Sequence, residues 1–170
     1  WVALVGGAMM KHSEWIETLI ESANRSSNLT AAKICIDGLW FCGTTECLAK
    51  LKGRPFQLPQ SDIDRLLTKE PPSLKTMPIA DAASLDIMWH YFIATGDEII
   101  PERIFDFLQS NWSRIEDTKT EGSDFIILFG SARWSFLSMA EQHSIVRKVL
   151  DSHASTSKIA QLLLAELDNK

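Results

Sequence analysis

The chain has 170 residues, of which 45% are hydrophobic and 23% are charged, and its formal net charge is −5. This length accommodates one domain with a substantial core, and the composition is that of an ordinary globular protein. The acidic balance argues against a nucleic-acid partner, which selects a basic face, and no apolar run reaches the about 18 residues of a membrane-spanning helix.

Apolar residues at helical spacing predict two helices in the first 25 residues. The first covers the small, apolar stretch 1–10, which Gly6 and Gly7 interrupt. The second follows Ser13, which we expect to act as its N-cap. Its apolar stripe has 3.6-residue spacing and consists of Trp15, Ile16, Leu19, Ile20 and Ala23.

Two further helices are predicted in the next segment, of which the second is short. We expect Thr30 to open the first, which ends at the turn around Gly43. Thr44 or Thr45 then caps the second, and Gly53 closes it.

The three cysteines, Cys35, Cys42 and Cys47, fall in these two helices. We expect small apolar core thiols, because a cysteine-only metal site needs a fourth ligand and the nearby sequence offers no histidine. Reduced thiols fit a reducing compartment, so the predicted location is cytoplasmic. The alternative is an exported or anchored protein from which a signal upstream of Trp1 has been removed.

Residues 53–80 hold five of the chain's six prolines and very little glycine. This composition predicts an ordered crossover over the protein surface rather than a flexible linker. A short helix is expected from Ser61 onward. The apolar residues available to anchor the segment are Phe56, Leu58, Leu66 and Leu67.

The segment 79–108 predicts a complete pair of helices. Asp81 or Ser84 caps the first helix, and Gly96 suits the left-handed position that ends it. Pro101 lies near the first turn of the second helix, where its missing N–H leaves no hydrogen bond unmade.

In the last third of the chain, residues 116–124 predict a charged loop. Three helices are predicted after it, at 125–140, at 142–153 and from Ser155 or Thr156 onward. The β-rich run 125–129 could instead form a strand, but the sequence offers it no obvious partner.

A short motif recurs along the chain. Asp37-Gly-Leu-Trp40 precedes Gly43, Asp86-Ile-Met-Trp89 precedes Gly96, and Ser131-Ala-Arg-Trp134 is a degenerate third copy. This recurrence predicts an all-α fold of stacked antiparallel helix pairs, an irregular α-solenoid within a single domain of residues 1–170. The alternative is a compact irregular helical bundle.

The same segments resemble a known family. Leu85–Asp97 resembles the signature LD-x-LW-x-x-FFATGD of a family of helical bacterial proteins without an assigned activity, and Gly38–Glu46 is similar to its LW-x-SGTPEA segment. This chain has Ile93 where an aromatic residue is usual and Thr45 in place of the proline. The resemblance extends over about residues 30 to 150 and implies an all-helical fold, and it transfers no functional residues.

Asp86, Trp89 and His90 are the candidate binding residues. Asp86 and His90 lie four apart, so one helix face presents both, and a carboxylate that orients an imidazole is what a general base needs. The alternative is a local pair that supports the helix. Phe41 takes the histidine's place in the motif of Asp37, which favours a structural role for the repeated aspartate.

No catalytic, phosphate-binding or dinucleotide-binding motif occurs, so we predict no catalytic residue, metal ligand or cofactor. The sequence favours a helical-repeat scaffold that binds a protein or peptide partner through a groove lined by its first helices, rather than an enzyme. The main alternative is an enzyme or small-ligand receptor with a pocket around Asp86 and His90. A DNA-binding helix–turn–helix protein is a third reading, which the acidic charge disfavours.

Overall fold

The computed structural model of the chain describes residues 1–53, 55–56, 58–116 and 122–169. These residues form ten α-helices: α1 (Val2–Lys11), α2 (Ile16–Arg25), α3 (Leu29–Cys42), α4 (Thr45–Gly53), α5 (Gln60–Leu67), α6 (Ala82–Thr95), α7 (Ile99–Glu116), α8 (Ser123–Gln142), α9 (Ser144–His153) and α10 (Lys158–Asp168). The all-α prediction is confirmed. Residues 54 and 57 of the predicted crossover and residues 117–121 of the predicted charged loop lie outside the described residues.

The chain divides into two compact units. Unit 1 comprises Trp1–Met77 and Ile87–Asp97, and unit 2 comprises Pro78–Asp86 and Glu98–Lys170. Helix α6 therefore starts in unit 2 and ends in unit 1. Whether the two units count as one domain, as the sequence analysis expects, stays a prediction.

Helix α3 is the centre of unit 1, because α1, α2, α4 and α5 all pack against it. Two glycines let α1 and α3 approach closely. A Cβ added to Gly38 would stand 2.8 Å from Cγ1 of Val5, and one added to Gly6 would stand 2.9 Å from the carbonyl oxygen of Gly38. No larger residue fits at either position without displacing its neighbour.

The proline-rich crossover packs on the core of unit 1. Its anchors Phe56, Leu58, Leu66 and Leu67 are half-buried against that core, as predicted. Ile63 of α5 is fully buried, and the indole Nε1 of Trp40 donates to the carbonyl oxygen of Lys69 at 3.1 Å. The described part of the crossover is thus held by both apolar packing and a hydrogen bond.

The corner between α3 and α4 corrects the prediction of three free thiols. Cys42 and Cys47 form a disulfide with a Cα–Cα distance of 6.3 Å, and Cys35 remains a buried thiol. The disulfide forms because Gly43, with a φ of 66°, reverses the chain directly after α3. The first turn of α4 therefore lies against the C-terminal end of α3. The thiol argument for a reducing compartment is thereby weakened, and the cytoplasmic location stays a prediction.

The helix starts follow the expected chemistry with three changes of residue. Asn28, not Thr30, caps α3, and Ser157, not Ser155 or Thr156, caps α10. Ser13 opens the 3-10 turn Ser13–Trp15 instead of capping α2. At α3 and α10 a neighbouring short polar residue with extended backbone takes the predicted cap position. At α2 the N-cap position falls on Trp15, which makes no side-chain cap hydrogen bond.

Other predicted helix ends are confirmed. The hydroxyl of Thr44 accepts from the amide of Cys47 at 3.2 Å at the start of α4. Gly43 and Gly96 both have φ of 66°, which is the left-handed conformation expected at the ends of α3 and α6. The strand alternative for residues 125–129 is wrong, since α8 spans them.

Unit 2 is built from the start of α6 and from α7 to α10. Each of the helices α7, α8, α9 and α10 contacts the other three. Phe105 and Phe136 are fully buried in it, with ring centroids 6.2 Å apart. His153 stacks on Phe105 at 4.7 Å, and its Nε2 lies 3.1 Å from a carboxylate oxygen of Glu102, which ties α9 to α7.

Candidate functional site

An open groove of about 490 Å³ lies between the first turns of α6 and the outer face of α8, within unit 2. We call it the α6/α8 groove. Its lining consists of Ala82, Leu85, Asp86, Ile127, Gly130, Ser131, Trp134 and Ser135. Leu85 is only 2% exposed, so it forms the apolar floor.

The groove exists because α8 has two apolar faces. Ala132 and Phe136 point into the core of unit 2 and are fully buried. Ile127 and Trp134 point the other way and keep 64% and 72% of their surface exposed. A large apolar side chain facing water at a concave site is typical of a surface that another molecule covers.

Gly130 lies between these two exposed side chains on α8. A Cβ added to it would meet no described atom within 4 Å apart from its chain neighbours and the backbone of α8 itself. Ser131 and Ala82, which also line the groove, are small as well. The helix backbone is therefore accessible in the middle of the groove.

Among the described residues that line the groove, Asp86 is the only charged one. Its side chain is exposed at the rim. Nearby, the amide of Ser84 donates to Asp81 Oδ1 at 2.7 Å, and this bond is the main reason that the pKa of Asp81 is lowered. Arg133 of α8 forms an ion pair with Glu166 and does not line the groove.

A second cavity of about 320 Å³ lies in unit 1 between α3 and α5. Its lining consists of Lys33, Ile36, Asp37, Leu58, Asp62, Ile63, Arg65, Leu66 and Lys69. Lys33 and Asp37 form an ion pair at 2.7 Å, while Ile36 and Ile63 are 2% and 1% exposed. We call it the α3/α5 pocket, and its apolar wall is covered rather than open.

The two cavities use the same positions of the repeated motif. Each cavity is lined by the motif aspartate, by the residue before it and by the residue four positions before it. These residues are Asp37, Ile36 and Lys33 in unit 1, and Asp86, Leu85 and Ala82 in unit 2. In both units the opposite wall comes from the helix two elements later. Residues of the recurring sequence motif therefore line a cavity in each unit, and of these two cavities the one in unit 2 has the strongly exposed apolar walls.

The three predicted site residues do not lie together in the groove. Asp86 lines it, while Trp89 and His90 belong to the part of α6 assigned to unit 1. Trp89 is 6% exposed and meets Phe92 edge to face at 5.9 Å, which is a core contact. His90 is half-buried and is not part of the groove lining.

The α8 wall of the groove is not predicted from the sequence. Ile127 and Trp134 fall on the predicted helix 125–140, but their spacing does not assign them to a face. A helical projection separates them by about half a turn from Phe136, since successive residues rotate by about 100°. That signal was present, but it could not say which apolar face the rest of the chain covers.

Within the described ranges, no three His, Cys, Asp or Glu side chains come together as a metal-binding group. The same ranges contain no helix with the length and apolarity needed to cross a membrane.

Comparison with known proteins gives no further assignment. No protein family, curated protein or solved structure matches the chain significantly. The resemblance of Leu85–Asp97 to a bacterial helical family therefore stays a sequence-level prediction.

Proposed function

We propose that the protein binds a protein or peptide partner through the α6/α8 groove. The observation that carries this proposal is the exposure of Trp134 and Ile127, at 72% and 64%, on the wall of a cavity. Apolar surface gains free energy when it leaves water, in proportion to its area. Tryptophan is also the residue that most often dominates the energy of a protein interface.

A comparison with the α3/α5 pocket supports the proposal that the α6/α8 groove binds a partner. There the chain's own helix α5 covers the equivalent face of α3 with Ile63 and Leu66, and the remaining rim is charged. In unit 2 the corresponding face carries Leu85 and ends at open apolar walls. A first helix lining a groove is what the proposed helical-repeat scaffold requires.

Binding is favoured over catalysis at this site. Of the residues suggested for acid–base chemistry, only Asp86 lines the groove. Ser131 and Ser135 are the other polar side chains there, and general-base chemistry needs a base within hydrogen-bonding reach of its nucleophile. No histidine is among the described residues that line the groove.

Site-specific crosslinking tests the proposal. A photoreactive phenylalanine analogue replaces Ile127 in the full chain, and crosslinked proteins from the producing cell are identified by mass spectrometry. We expect a partner whose purified form binds the wild-type chain and binds Trp134→Ala at least about tenfold more weakly, which is a usual loss for a central tryptophan.

The control is the same analogue at Ile93, an isoleucine that is 52% exposed but belongs to unit 1. Partner capture at both positions with equal yield would contradict the proposal. So would a captured partner whose affinity is unchanged by Trp134→Ala.

A further inference from the structure

No contact within the described chain requires a glycine at position 130. The other interior helical glycines, Gly6, Gly7 and Gly38, each face an atom at 2.8 to 2.9 Å from the place a Cβ would take, whereas no described atom lies within 4 Å of that place at Gly130. Glycine weakens a helix interior relative to alanine. Close approach of another backbone explains its presence, because a Cβ would hold that backbone away.

We infer that the α6/α8 groove accepts a basic amphipathic helix of the partner, lying across α8 at Gly130. This inference rests on the proposed function and names the chemistry of its partner. It is carried by the shape of the groove, by the occupant of the equivalent cavity and by charge.

The shape fits a helix. Ile127 and Trp134 are seven residues apart on α8, which is two helical turns or about 10.5 Å. A second helix with apolar residues at positions i, i+3 or i+4, and i+7 spans the same distance. Its apolar stripe contacts both side chains while its backbone passes over Gly130.

The equivalent cavity in unit 1 shows the same kind of occupant within the chain itself. Helix α5 is amphipathic: Ile63 is buried toward α3, and Asp62 and Arg65 stay exposed on the rim. The face that it meets, with Ile36 and Asp37, corresponds to the face with Leu85 and Asp86 in the groove. An amphipathic helix is therefore a chemical match for this surface of the repeat.

Charge selects a basic helix. Asp86 is the charged residue of the groove lining, and the whole chain carries a net charge of −5. A lysine or arginine on the rim of the partner helix gains attraction from both. An acidic helix meets repulsion from both.

Charge and area also argue against a second copy of the chain as the occupant. A second copy brings another −5. A single Trp presents at most about 250 Å², so the exposed Trp134 and Ile127 fall well short of the about 800 Å² per partner in a stable interface. A single helix in a groove makes a smaller, reversible contact of the kind this surface can offer.

The test is a displayed library of helical peptides of about 15 residues, the length at which isolated helices become marginally stable. The apolar stripe is fixed, and the flanking polar positions vary among Lys, Glu, Ser and Gln. The library is selected on the full chain and counter-selected on Gly130→Leu, which fills the groove at a position where the structure has room. Circular dichroism verifies that this variant keeps its helices.

We expect the selected flanks to be enriched in Lys. A selected peptide should lose more than about tenfold in affinity for Gly130→Leu. It should lose about two- to fivefold for Asp86→Asn at low salt and less at high salt. The control Ile93→Ala should leave its dissociation constant unchanged.

Other outcomes overturn the inference. Gly130-dependent binders with acidic or uncharged flanks refute a basic partner but leave the groove as a binding site. A concentration-dependent dimer that Gly130→Leu disperses in sedimentation velocity makes a second copy the occupant. If neither a peptide nor a second copy binds in a Gly130-dependent way, both the inference and the proposed function fail.

Discussion

Asp81 and Ser84 bond reciprocally at the start of α6. The Ser84 amide donates to Asp81 Oδ1 at 2.7 Å, and the Asp81 amide donates to Ser84 Oγ at 3.0 Å. This is a capping box with the acid at the N-cap position, and it satisfies amides that an α-helix leaves without internal partners. It also fixes the first turn of α6, which forms one side of the α6/α8 groove.

The capping box predicts a pH-dependent stability. The backbone hydrogen bond from Ser84 lowers the pKa of Asp81 in the folded chain, so the carboxylate stabilises the fold above the unfolded pKa of about 3.9. That stability is lost as the pH falls through the lower, folded pKa. Asp81→Ala should therefore unfold at lower urea concentration than wild type at pH 7, with a smaller difference at the acidic end of a titration.

The matched variant is Asp64→Ala, which removes a carboxylate inside the exposed face of α5, away from its N-cap. An Asp81→Ala defect that stays constant from neutral to acidic pH would contradict the assignment of the charge to the cap.

Two glycines in helix interiors predict opposite responses to alanine. At Gly130 the added Cβ meets open space, so Gly130→Ala should raise the free energy of unfolding by about 0.5–1 kcal/mol. At Gly38 the added Cβ would stand 2.8 Å from Val5, so Gly38→Ala should lower it by about 1–3 kcal/mol. Urea denaturation of both variants measures the difference.

The pair also separates stability from binding. Gly130→Ala should weaken binding of a groove ligand although the fold becomes more stable. Equal destabilisation by the two substitutions would mean that the surroundings of Gly130 are filled, against the structure described above.

The buried thiol of Cys35 predicts an alkaline loss of stability. Burial raises its pKa from 9.0 to about 11. The unfolded chain releases this proton first, so the stabilisation is fully present below about pH 9 and is lost as the pH rises through 11. Between these values the wild type should lose up to about 1.4 kcal/mol per pH unit relative to Cys35→Ala.

Thiol counting provides an independent measurement. The unreduced chain should show a single thiol, and only after unfolding, because Cys35 is buried and Cys42 and Cys47 are bonded to each other. Three rapidly titrating thiols in the native protein would contradict both statements.

The sequence is sufficient for features that neighbouring residues determine. The cap at Asp81 and Ser84, the turns at Gly43 and Gly96, and the all-α class all follow from local backbone preferences and 3.6-residue spacing. These interactions form within a few residues of the chain, so an alignment or a structure is not needed to expect them.

Features that depend on packing between distant parts of the chain could not be predicted from the sequence. Trp134 is an apolar residue at helical spacing, and spacing alone does not reveal that the core covers the opposite face of α8. Likewise, the spacing of Cys42 and Cys47 suits two core thiols or a disulfide. The reversal at Gly43 decides between them, because it brings the two sulfur atoms together.

The covalent ring at the α3–α4 corner also determines how unit 1 opens locally. The first turn of α4 is fixed to α3 through Cys47, and the hydroxyl of Thr44 holds the amide of that same residue. Fraying of α4 must therefore start at its other end, near Gly53, where the chain enters the crossover. Amide hydrogen exchange along α4 should accordingly run as a gradient, slow at Cys47 and Leu48 and faster toward Lys52.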